Sequence, residues 1–358
     1  MSERPFASWA VLAIVVSIVS LTPAPLAGHA RAARSASTAP AAGTWIVPRT
    51  ADGQPDLQGI WISKSATPLE RPKAMEGKPR LSDDEVRELK QRADRLFKEQ
   101  DSDFPAGDGL FMAVLANPDR YKSATATGGS FEGMVEREFE NRTSLIVDPP
   151  DGKVPPLTPE GRQRQAALTA SRLRADPAGP EDLSNDRRCI SFGVPRVGGN
   201  YGAGPYSYNQ IVQSPGYVVL VMEYVHEARI IPLDGRPHLP SRMRQWNGDS
   251  VGRWEGDTLV VDSTNFSPKS SFMGSGENLH LVERFTRVSA DAIAYDVTFD
   301  DPTTWTKPWT AALRLTRSAE RIYEVACHEG NHYSMDGVLA GARAEEKAKA
   351  AGDAAKKK

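Results

Sequence analysis

"RFTRVSADAIAYDVTFDD", residues 284–301, is the stretch that decides the fold. Apolar and polar residues alternate on both sides of Ser289-Ala290-Asp291, the pattern of a half-buried strand that turns and pairs with its own continuation. With the turn at 289–291, Arg284 lies opposite Asp296 and His280, just upstream, lies opposite Asp300. The other face then carries Leu281, Phe285, Tyr295, Val297 and Phe299. Opposed charges on one face and apolar pairs on the other are what cross-strand pairing favours, and a slip of one residue would exchange the two faces.

Working outward, residues 314–330, "RLTRSAERIYEVACHEG", repeat the Thr-Arg, the Ser-Ala turn and the alternating return. This predicts a second hairpin in which Arg314 meets Glu324, Leu313 meets Val325 and Leu315 meets Tyr323. Upstream, alternating segments at 208–213, 217–224 and 229–233 are separated by turn residues, and 250–254 and 258–265 flank Glu255-Gly256-Asp257. Some nine strands in succession predict a mainly β chain, an antiparallel meander closed into a lipocalin-like (calycin-type) barrel over 201–340, because closure removes exposed edges.

The region before the barrel, 45–200, reads as a helix-containing segment wrapped on it. Pro55-Asp56-Leu57-Gln58-Gly59-Ile60-Trp61 is a turn feeding a short strand. Ser82-Asp83-Asp84-Glu85 is a capping box that opens a helix to about residue 97, with Val86, Leu89, Ala93 and Leu96 on one face. Thr158-Pro159-Glu160 opens a second helix to about residue 173, with Thr as N-cap and Pro at the first helical position. The Gly/Pro-rich stretch between the helices receives no assignment. Residues 341–358 read as a charged, flexible tail.

At the start of the chain an Arg precedes an apolar run at 9–21, and Ala30-Arg31-Ala32 follows as a cleavage site, so 1–32 reads as a signal peptide and 33–44 as a flexible linker. The expected location is periplasmic or secreted, with no membrane span after cleavage. The two cysteines, Cys189 and Cys327, are then expected to form a disulfide. The net charge of -2 and the absence of a basic stripe exclude a nucleic-acid partner. No P-loop, dinucleotide fingerprint or serine elbow occurs, so no cofactor is expected. Oligomeric state is not readable.

His328-Glu329-Gly330-Asn331-His332 spells the zinc-peptidase H-E-x-x-H, whose mechanism needs both imidazoles on one helical face. The repeated-hairpin reading puts these residues at a strand end and a Gly330-Asn331 turn, so no metal is expected. Glu283, on the apolar face between Leu281 and Phe285, is the candidate acid or base, or else the buried partner of Arg253 or Arg229. His226 and His280 are the histidines that could act with it, and His238 sits in a Pro-flanked loop at the barrel mouth. Tyr208, Trp246, Arg253, Trp254 and Trp309 are the candidate ligand contacts, with Tyr201, Tyr206 and Trp305 also at the rims.

The phrases "PDLQGIW", "TPLERP", "DPPDGKVPPLTPEGR", "WNGDSVGRWEGDTLVVDSTNF", "VERFTR" and "CHEGN" together resemble a family of exported acidobacterial and proteobacterial proteins. The resemblance covers most of the mature chain and implies no activity; in that family the position of His332 is often Tyr. The sequence therefore points to an exported barrel that binds a small, partly apolar molecule in its interior or mouth. The alternative is a cofactor-free lyase, hydratase or isomerase using the same pocket.

Overall fold

The computed structural model describes residues 45–98, 109–116, 138–172, 177, 179–185, 187–191, 193–195, 208–270, 272–324 and 326–356. The expected signal peptide and linker, and Tyr201 and Tyr206, lie outside them. Ten strands form one antiparallel sheet: β1 (Gly59–Ser63), β2 (Ile146–Asp148), β3 (Tyr208–Ser214), β4 (Tyr217–Met222), β5 (Ala228–Pro232), β6 (Asp249–Glu255), β7 (Thr258–Thr264), β8 (His280–Ser289), β9 (Ala292–Asp300) and β10 (Trp309–Arg317). Their order is β5-β4-β3-β1-β10-β9-β8-β7-β6, with β2 paired to β10. The result is a nearly closed antiparallel barrel.

The β8–β9 hairpin has the expected register, with Arg284 opposite Asp296 and His280 opposite Asp300. Alternation then directs Leu281, Glu283 and Phe285 inward. Inward apolar residues of the nine strands in the path join one hydrophobic cluster, which includes Trp61, Ile211, Val218, Ile231, Leu259, Val261, Phe299 and Trp309. From the registers, one end of the barrel, the upper end below, collects the start of β3, β5, β6, β8 and β10 and the end of β4, β7 and β9.

Among the described residues no ladder joins β5 to β6, so this is the barrel's seam. Packing closes it. A Cβ on Gly252 of β6 would stand 2.7 Å from both Ile231 Cγ2 and Leu233 Cδ2, so those side chains occupy the space that a residue at 252 would fill.

The structure departs from the sequence reading in four places. The repeated hairpin at 314–330 does not form: Arg314 faces Ala294 of β9, the chain leaves the sheet after Arg317, and Cys327 opens a long helix, Cys327–Lys356. The reason is that β10 is already paired on one side with β9 and on the other with β1 and β2, leaving no edge for a return strand. The same helix takes in residues 341–356, so the expected flexible tail is helical there, as its Ala, Glu and Lys content favours. Next, β1, from the region before the barrel, sits between β3 and β10, so the sheet extends outside 201–340. Finally, the helices before β3 number three among the described residues: α1 (Asp83–Lys98), α2 (Gly109–Ala116) and α3 (Pro159–Arg172). The terminal helix is α4.

α1 starts with the predicted capping box: the Glu85 N–H donates to Ser82 Oγ at 3.3 Å and the Ser82 N–H to Glu85 Oε2 at 2.9 Å. Leu89 and Ala93 on its inner face pack with Phe111 and Val114 of α2 in a second, smaller core. α3 begins at the N-cap Thr158, whose Oγ1 accepts from the Gly161 N–H at 3.0 Å and donates to the Thr303 carbonyl at 2.6 Å. Arg164 adds bonds from Nη2 to Thr303 and Thr304. These contacts set α3 directly on the β9–β10 connection at the upper end, so closely that a Cβ at Gly161 would lie 2.4 Å from the Thr304 carbonyl oxygen.

Gly161→Ala therefore tests this docking. Alanine is the better helix former, yet the substitution should destabilise the protein by about 1–3 kcal/mol because the helix must move off the connection. A denaturant titration showing unchanged or raised stability would contradict the close approach.

Candidate functional site

The upper inner face holds a buried polar network. Arg229 of β5 donates from Nη1 to Glu283 Oε1 at 3.1 Å and from Nη2 to Glu283 Oε2 at 2.5 Å. Its Nη2 also reaches Ser250 Oγ of β6 and Ser263 Oγ of β7, each at 3.1 Å, and these two hydroxyls are 2.8 Å apart. Tyr295 of β9 donates its OH to Glu283 Oε1 at 2.8 Å. One guanidinium thus links β5 across the seam to β6 and β7, and through Glu283 to β8 and β9.

The side chains of Arg229 and Glu283 are 6% and 2% exposed, so both charges are taken out of water and depend on each other. Burial alone would pull the Arg229 pKa down, but the Glu283 charge and hydrogen bonds outweigh it and the pKa is raised. Burial, then the Glu283 carboxylate, push Tyr295 well above the ordinary tyrosine value, so it stays a phenol and a donor. With two guanidinium nitrogens and a phenol aimed at it, Glu283 is placed as an acceptor. Of the two arginines the sequence offered as its partner, Arg229 is the one that reaches it. Arg253 points from the outer face of β6, exposed, and pairs with Glu255.

The structure does not bring the three candidate catalytic residues together. Glu283 faces in, whereas His280, three positions earlier on β8, faces out. His226 lies exposed in a short helical turn, Tyr224–His226, with a positive φ of 43° and its ring 6.1 Å from that of His328. Among the ligand candidates, Tyr208 starts β3 half-buried, and burial followed by the Glu223 charge raises its pKa. Trp246 lies in the β5–β6 connection, where its carbonyl accepts from Ser270 Oγ at 2.6 Å. Trp254 packs on the barrel core from β6. Trp309 is not at a rim: it is fully buried, stacked 3.9 Å from Phe299 and edge-on to Trp305.

Cys189 and Cys327 form the expected disulfide, which ties the segment before β3 to the first residue of α4. The reason for dismissing H-E-x-x-H is overturned, since His328 and His332 lie one turn apart on α4. Even so, among the described residues no group of three or more His, Cys, Asp or Glu side chains is arranged to hold a metal ion.

A second cluster occupies the outer face of β6–β8. His238 Nδ1 is 2.9 Å from Asp249 Oδ2, and its Nε2 is 3.0 Å from Asp262 Oδ1. His280 Nε2 shares that Asp262 oxygen at 3.0 Å. The hydrogen bond to Asp262 raises the His280 pKa, and Asp262 is lowered because the histidine bonds outweigh its burial. No motif announced this group, which joins a loop residue to three strands.

No family model matches the chain, and no curated protein matches it. Among solved structures, a mutant of the fluorescent protein UnaG is similar at 15% identity over 32% of this chain and 72% of that one, with a TM-score of 0.20. At that score the likeness carries no argument about ligand or site. Among the described residues, no helix is long and apolar enough to cross a membrane.

Two outcomes follow from these clusters. Glu283→Gln leaves Arg229 buried without a counter-charge and should cost about 3–5 kcal/mol in denaturant unfolding; a variant as stable as the parent would contradict the ion pair. A histidine whose pKa is raised stabilises the fold below its ordinary value of 6.5 and loses that contribution as pH rises through the folded value. Lowered Asp262 acts oppositely, stabilising above 3.8 and losing its effect as pH falls. The pair is thus strongest between those values. Since His280 is half-exposed, the Tm of the parent should fall from about pH 6 to about pH 8.5 by only some 1–2 °C more than that of His280→Gln. Parallel profiles would contradict the coupling.

Proposed function

We propose that this is an exported protein whose barrel binds a small, partly apolar molecule at the upper end, in the periplasm or outside the cell. The observation that carries the reading is a charged, hydrogen-bonding constellation enclosed in a largely apolar barrel, with donors to spare. Among the described residues, Arg229 Nε and the indole N–H groups of Trp254, Trp305 and Trp309 are buried without a hydrogen-bond partner. A buried donor is costly unless something accepts from it. A ligand with an apolar body and one or more acceptor oxygens matches a wall of this kind, in which apolar and aromatic side chains surround a few polar groups. The Cys189–Cys327 disulfide and the signal-like pattern of 1–32 support export.

The acid/base enzyme is less well supported. It needs Glu283 and a histidine to address one substrate atom, and His280 and Glu283 point to opposite faces of β8. Glu283 is also engaged by Arg229 and Tyr295.

Native mass spectrometry of the protein purified from its own host tests the binding reading. A retained small molecule should appear, and the extracted compound, added back at about 100 times its Kd, should stabilise the protein by about 2.7 kcal/mol. Protein that carries nothing and gains no stability from host lipid and metabolite extracts would overturn it.

A further inference from the structure

We propose that residues 233–248, which join β5 to β6, are a gate over the barrel seam, latched shut by a doubly protonated His238 shared between two strand carboxylates. The gate's role in ligand entry rests on the binding reading above; the latch does not. The connection leaves β5 at the lower end, where the Leu233 N–H donates to the Gly216 carbonyl, and enters β6 at the upper end. It therefore passes from the lower to the upper end of the two strands that no ladder joins.

Its fastening is concentrated at a few points. The Leu239 N–H donates to Asp249 Oδ2 at 2.8 Å, and Asn265 Nδ2 donates to the Leu239 carbonyl at 2.7 Å. Gln245 exchanges backbone bonds with Asn265 and Ser267, and Arg244 reaches the Phe266 and Glu277 carbonyls. His238 is the centre of this set, bonded to Asp249 of β6 and Asp262 of β7. A carboxylate only accepts, and a neutral imidazole has a single N–H, so bonds to both aspartates require the imidazolium. Loss of one proton removes the His238 donor from one aspartate and turns the freed lone pair against that carboxylate.

The groups facing His238 are Asp249 from β6 and Asp262 from β7. His280 from β8 shares Asp262, and Asp300 from β9 lies beside His280 in register. The latch is therefore closed while both ring nitrogens of His238 carry a proton, and removal of one by base releases it.

Hydrogen exchange read by mass spectrometry on the whole protein, corrected for intrinsic rates, tests the latch. Amides of 233–248 should exchange roughly tenfold faster or more at about pH 8.5 than at about pH 6, while β8 and β9 amides hold their protection. His238→Gln, whose N–H groups share one nitrogen and so replace only one of the ring's two donor positions, should show the fast exchange at both pH values. Asp249→Ala, which removes the acceptor altogether, should do the same should the first variant fail to fold. Protection of the strap that does not change with pH overturns the latch.

Stopped-flow uptake of 1-anilinonaphthalene-8-sulfonate by the same proteins tests the gate, with entry several-fold faster whenever the strap is released. Strap release without faster entry overturns the gate. Strap release with no probe bound at any pH points to failure of the binding reading and removes the gate with it.

Discussion

A guanidinium buried to the extent of Arg229 must be met within a few ångströms or the region around it will not stay dry. Here the meeting point is the one place where the sheet lacks a ladder. β5 and β6 exchange no backbone bonds, so the seam is held by Ile231 and Leu233 filling the space over Gly252 and by the guanidinium reaching Ser250, Ser263 and Glu283. Apolar packing closes a barrel without specifying which rung faces which. A forked cation that meets a carboxylate and two hydroxyls in a fixed geometry adds that specification. Tyr295 completes it by fixing the carboxylate from the opposite side.

Around this network the structure separates its tasks by face. Inward side chains build the core and the polar wall, while outward ones on β6–β8 hold the β5–β6 connection through Asp249, Asp262 and His280. The two clusters share strands yet cannot share a proton, because alternation sends Asp262 and Ser263 to opposite faces of β7. The disulfide at the head of α4 and the N-cap of α3 anchor the helices at points outside the inner face.

What the sequence revealed was local. Alternation around Ser289-Ala290-Asp291 was enough to place Glu283 on the apolar face and to oppose His280 to Asp300, because a tight turn leaves the register no freedom. Tyr295 was within reach of the same argument: it faces Phe285, and Glu283 is the diagonal neighbour, near enough for a long side chain to touch. Arg229 against Arg253 could not be decided, since the choice depends on closure at the seam, which brings Arg229 to Glu283, 54 residues away in the chain. The placement of β1 was hidden for the same reason. The error at 314–330 is of another kind. Its pattern suits a strand, but a strand also needs an unoccupied edge, and occupancy is a property of the whole sheet. Trp309, read as a rim aromatic, is core because its ring is stacked on Phe299 and set edge-on to Trp305 inside the barrel.

The central claim is that Arg229 and Glu283 act as one unit that fixes the seam. A double-mutant cycle with Arg229→Met and Glu283→Met, read by denaturant unfolding, measures it most directly. Each single change should cost about 3–5 kcal/mol because it strands the other charge in the barrel, whereas the double variant should recover most of that loss, giving a coupling of several kcal/mol. Additive losses, with the double variant worse than either single one by the full sum, would contradict the account.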